Sequence, residues 1–66
     1  MITIGRKYKI CLDTRGVSNA LYEGTLSFIE NDMLSFCKCK NLNSNIIEEL
    51  KMTFNIRYIV YMECIS

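Results

Sequence analysis

The 66-residue chain contains no histidine and no proline, only three glycines, and almost no net charge, with eight basic residues against seven acidic ones. Each shortage excludes something. Without histidine the chain lacks the commonest general base and metal ligand, and with it most standard catalytic constellations. The near-neutral balance does not support a strongly basic nucleic-acid binder. No apolar stretch approaches the ~20 residues that a membrane helix needs. The N-terminus shows no apolar run with a cleavage site, so the expected setting is soluble and cytosolic, away from a membrane. No repeat, linker or low-complexity tail is visible.

What is present is apolar: half of the residues are hydrophobic. A domain of this length buries only about 60% of its unfolded surface. Some apolar side chains should therefore stay outside, where a subunit interface is a natural use for them. A core this small rarely supplies more than ~3–5 kcal/mol alone.

Cys11, Cys37, Cys39 and Cys64 pose a choice between a disulfide framework, a zinc site and free thiols. The first needs a secretory context. Structural zinc sites usually bring two close cysteine pairs, and here only Cys37-x-Cys39 is close. Free cysteine behaves as a small, buried hydrophobe. The favoured reading is free thiols, with no metal and no cofactor.

Periodicity predicts strands. Over Lys7–Leu12, Tyr8, Ile10 and Leu12 alternate with Lys7, Lys9 and Cys11, the signature of a half-buried strand. The cluster Asp13-Thr14-Arg15-Gly16 is a turn in which Gly16 is free to take positive φ. A long second strand is expected over Ala20–Glu30, with Tyr22, Gly24, Leu26 and Phe28 on one face. Gly24 within it signals a bend, a bulge or a close backbone approach. Asn31-Asp32 is a tight turn. A third strand follows over Met33–Lys40, with Leu34 and Phe36 facing the core and Ser35, Cys37 and Cys39 opposite.

Residues 46–54 admit a strand or a helix, and β-rich neighbours favour the strand. Asn55-Ile56-Arg57 reads as a short connecting turn. The last strand, Tyr58–Ile65, is apolar on both sides, with Tyr58, Val60 and Met62 on one face and Ile59 and Tyr61 on the other. Such a strand is central or covered by a neighbouring chain.

The run from Tyr22 to Phe36 resembles the first motif of Sm-like proteins, which are small SH3-like barrels. Gly24, Leu26, Ile29, Glu30 and Met33 fall on that spacing, and Leu34 stands where the family has asparagine. Ile56-Arg57-Tyr58 keeps the Ile-Arg of the second motif without its glycine. The resemblance covers about half the chain. It implies a five-stranded, strongly bent antiparallel barrel, assembly into rings, and RNA as a ligand, with Arg57 carried over by motif.

Three functions come into question. The first is a homo-oligomeric module that binds RNA through Lys7, Tyr8, Lys9, Arg57 and Tyr58, where aromatics stack bases and cations meet phosphates. Its expected self-contacts are Ile47, Ile59 and Tyr61. The second is an adaptor that binds a protein through an exposed strand edge or apolar patch. The third is an enzyme, and it finds little support. Asp13, Glu23, Glu30, Asp32, Glu48 and Glu49 have no base to work with, and no nucleophile motif appears.

Overall fold

The computed structural model describes residues 2–16, 18–44 and 50–66. Five strands form one antiparallel sheet: β1 (Lys7–Leu12), β2 (Ala20–Glu30), β3 (Met33–Asn41), β4 (Leu50–Asn55) and β5 (Ile59–Cys64). A single 3₁₀ turn, η1 (Ile56–Tyr58), joins β4 to β5. The spatial order is β4-β3-β2-β1-β5. Among the described residues β4 and β5 form no ladder with each other, so the sheet is open rather than a closed barrel.

β1 and β2 occupy the residues that their alternation predicts. β3 runs one residue further, to Asn41. Leu50–Asn55 resolves the ambiguous stretch as strand for its described part, while residues 45–49, and with them Ile47, lie outside the described residues. β5 starts at Ile59 because Tyr58 is used by η1, where the Asn55 side chain accepts the Arg57 N–H at 3.0 Å.

The faces depart from strict alternation at three bulges, each caused by one extra residue in one strand. Leu26 pairs with Phe36 but Phe28 pairs with Ser35, which leaves Ser27 as the extra residue. Phe28 is thereby turned onto the outer face beside Ser35, away from Leu26, and is exposed. In β3, Lys38 takes a left-handed conformation, φ +55°, and shifts the register against both neighbouring strands. Cys39 is thus brought into the core, contrary to its expected position beside Cys37. In β5, Cys11 pairs with Tyr61 and Leu12 with Ile59, so Val60 is extra. Ile59 and Met62 both pack against the core, and Tyr61 turns outward. Ile59 and Tyr61 therefore do not share the face expected of them.

The core is Tyr8, Ile10, Leu26, Leu34, Phe36, Cys39 and Phe54. A relay of rings runs through it. Tyr8 meets Phe36 edge-on at 6.5 Å, Phe36 meets Phe54 at 5.8 Å, and Phe54 meets Tyr22 at 5.7 Å. Pairs of this kind contribute about 0.5–1.5 kcal/mol beyond the area they bury. Gly24 lets β2 and β3 close on one another. A Cβ there would sit 2.8 Å from Cys39 Sγ and 3.1 Å from Phe36 Cβ. In the β1–β2 turn the left-handed residue is Arg15, φ +57°, and not Gly16. The Asp13 carboxylate accepts the Arg15 N–H at 2.8 Å and holds that shape.

Candidate functional site

The two basic–aromatic strings of the chain meet different surroundings. Across the outer face of β3-β2-β1-β5 the register sets Lys40 against Glu23, Glu23 against Lys9, and Lys9 against Glu63. Directly opposed residues of an antiparallel pair share a face. The result is a row of alternating sign. Lys7 joins it diagonally, with Nζ 3.4 Å from Glu23 Oε1. The lysines at the start of β1 therefore lie beside carboxylates rather than forming a patch of one sign. Tyr8, between them, is buried. Its ring packs on Phe36 and its hydroxyl accepts the Thr3 N–H at 2.8 Å. Both the ring and the polar tip of Tyr8, expected to meet nucleic acid, are engaged within the fold.

Arg57 and Tyr58 lie at the other end of β1. Two backbone bonds pin η1 in place. Ile56 N–H donates to Asp32 O at 2.7 Å, in the β2–β3 turn, and Asp13 N–H donates to Tyr58 O at 2.8 Å, just past β1. From Lys7 to Asp13 the extended chain covers roughly 20 Å. The five residues expected to form one nucleic-acid surface are thus divided between two places. Arg57 and Tyr58 are exposed, and the Arg15 guanidinium lies over the Tyr58 ring at 6.0 Å from its centroid. Arg15 is the residue that sequence reasoning missed. Nothing in its turn cluster signals that the turn folds back onto a residue from the far end of the chain.

Below this end a cleft of about 410 Å³ opens, lined by Tyr22, Phe54 and Tyr58 among others. A second cleft, of about 350 Å³, lies on the inner face and is mostly apolar, with Tyr8, Leu34, Ile59 and Met62 in its wall.

The outer edges of the sheet belong to β4 and β5, and apolar side chains stand out there: Leu50 on β4, Val60 and Tyr61 on β5, and Ile65 just beyond. Of the expected self-contacts, Tyr61 is exposed at this edge and Ile59 is half-buried against the core.

All four cysteines are free: Cys11 and Cys39 are buried, Cys37 is half-buried and Cys64 is exposed. Among the described residues no group of three potential metal ligands comes together. Burial pushes the Cys39 thiol up to about 11; a backbone hydrogen bond from Met52 pulls the other way, and neighbouring Cys37 adds to the rise. Among the described residues no helix is long and apolar enough to cross a membrane.

No family model matches the chain, and neither the curated proteins nor the solved structures compared with it give a match.

Proposed function

We propose that the chain is a non-catalytic binding module that assembles with copies of itself through its two edge strands. The observation that carries this reading is the pair of open edges. β4 and β5 each have a neighbour on one side only, and both present exposed apolar side chains. Unpaired edges are templates for further strands, and folded proteins must cover, twist or pair them. An edge of β5 laid against an edge of β4 in the next copy is a heterologous contact, and repeating it closes a ring if the rotation permits. The strand order, and the bulges in β2 and β3, support an open form of the small SH3-like or Sm-like barrel as the shape of the subunit. The four free thiols favour a reducing, cytosolic setting.

Light scattering on a size-exclusion column, with EDTA and reductant present, tests the assembly. A stable multiple of the 7.7 kDa subunit is expected. Replacing both Val60 and Tyr61 with lysine should return it to monomer without unfolding it. A wild-type monomer would sink self-assembly and shift the reading to an adaptor that lends the same edge to a different protein by strand addition.

A second reading, RNA as the ligand, is favoured by the cluster at η1. Arg15, Arg57 and Tyr58 offer two cations and an exposed ring, the chemistry that single-stranded nucleic acid uses. A labelled single-stranded RNA should shift in a salt-sensitive way, and less so for Arg57→Ala. A shift of equal size in both proteins would remove Arg57 from the contact.

A further inference from the structure

The cleft beside η1 combines aromatic walls with a carboxylate. Its volume, about 410 Å³, falls at the small end of ligand sites. Three aromatic residues from three parts of the chain line it: Tyr22 of β2, Phe54 of β4 and Tyr58 of η1. Met33 adds a polarisable thioether. Among the described residues one carboxylate, Asp13, stands in the lining, and no lysine or arginine does. Aromatic faces carry negative electrostatic potential and attract cations, most strongly where water is thinned out. The Tyr58 ring already draws one cation: the Arg15 guanidinium lies 6.0 Å from its centroid, although Arg15 is not among the residues lining the cleft.

From this charge pattern we infer that the cleft binds a small organic cation with an apolar body, of the alkylated-ammonium class. A trimethylated head would place its methyl groups against Tyr22, Phe54 and Tyr58, with Asp13 supplying the counter-charge. A cation is favoured over an anion there, because the one full charge among the described lining residues is negative, and the Arg15 guanidinium beside Tyr58 is the cation such a ligand competes with. The site goes beyond the self-assembly proposed above and does not depend on it.

The experiment is an NMR titration of the 66-residue chain with choline at constant ionic strength, following the ring resonances of Tyr22 and Tyr58 and the methyl of Met33. Saturable shifts confined to these residues are expected. Tyr58→Leu should weaken binding about two- to fivefold, the range that an exposed cation–aromatic contact contributes. Tyr58→Phe should keep it. Asp13→Asn should weaken it by about fivefold, since it removes the counter-charge but leaves an oxygen to accept the Arg15 N–H.

The uncharged isostere 3,3-dimethylbutan-1-ol should bind at least several-fold more weakly than choline. Equal binding of the alcohol would show a merely greasy groove and overturn the proposal. Uridine monophosphate saturating the same resonances more tightly than choline would give the cleft to nucleic acid and overturn it as well. Shifts that stay linear up to ~100 mM choline, far above a millimolar dissociation constant, would show that no site exists.

Discussion

Lys7-Tyr8-Lys9 and Arg57-Tyr58 are the same kind of string, a tyrosine with cationic neighbours, and the fold treats them in opposite ways. In the first, the lysines stand in a row with Glu23 and Glu63 and the tyrosine is core. In the second, the chain leaves the sheet for a single 3₁₀ turn, and both arginine and tyrosine face outward. The difference comes from the neighbours. β1 has a strand on each side, so each residue from Tyr8 to Leu12 acquires two opposed partners that determine its environment. η1 has none. A charged residue within a ladder is shaped by the sequence of other strands, whereas one on a turn keeps the character of its own side chain.

The sharpest way to break this comparison is to truncate each tyrosine in turn. Tyr8→Ala should cost about 3–5 kcal/mol, the usual loss for a buried aromatic, which in a domain this small means partial or complete unfolding. Tyr58→Ala should stay within about 1 kcal/mol in a denaturant titration. If the two losses are similar, the contrast between core and surface is wrong.

Next in size is Gly24, on which the closure of β2 against β3 depends. Gly24→Ala drives a methyl group into Cys39 Sγ and should cost about 1–3 kcal/mol. Removing that sulfur with Cys39→Ala should recover part of the loss, leaving the Phe36 contact as the remainder. A double mutant with the simple sum of the two single losses would show that the sulfur is not the obstacle.

A smaller effect is expected in alkali. The Cys39 thiol is raised in the folded chain from 9.0 to about 11, chiefly because burial disfavours the thiolate. The folded state thus holds its proton where the unfolded state releases it. This contribution to stability is complete below pH 9 and is lost as the pH rises from 9 towards 11. Comparing the alkaline unfolding of the wild type with that of Cys39→Ala isolates it from lysine and tyrosine titration. Identical curves would remove it.

The smallest change in stability, and the one that bears most directly on function, belongs to Glu23. Glu23→Gln should alter stability by less than about 1 kcal/mol, as expected for a surface ion pair. It should also leave Lys7, Lys9 and Lys40 around an uncharged residue, and so raise the affinity for single-stranded RNA with a steeper salt dependence. Unchanged affinity would mean that the outer face of β1 plays no part in that binding.

Strand positions were readable from the chain because alternation and turn residues are local properties. β1, β2 and the Asn31-Asp32 turn follow from them directly. The faces beyond each bulge were not readable, because an extra residue such as Ser27, Lys38 or Val60 differs from its neighbours only in what opposes it across the ladder. The same limit applied to the candidate sites. Lys9 reads as a basic residue until Glu23 and Glu63 are set beside it, and Arg15 reads as a turn residue until Tyr58 lies beneath its guanidinium. Parity is a good guide along one strand and silent about the next.

The pairing of β5 with β1 has a consequence for how the protein is made. β1 through β4 are linked to their sheet neighbours in sequence order, so each hairpin is able to form as soon as its second strand leaves the ribosome. β5 is synthesised about fifty residues after the strand it must join, and non-local pairings of this kind form late. Until then the far side of β1 is a bare edge in a nascent chain, open to capture by another ribosome's product. Lys9, already set beside Glu23 of β2, then marks that edge with charge, and an incoming strand must meet it as Glu63 of β5 does.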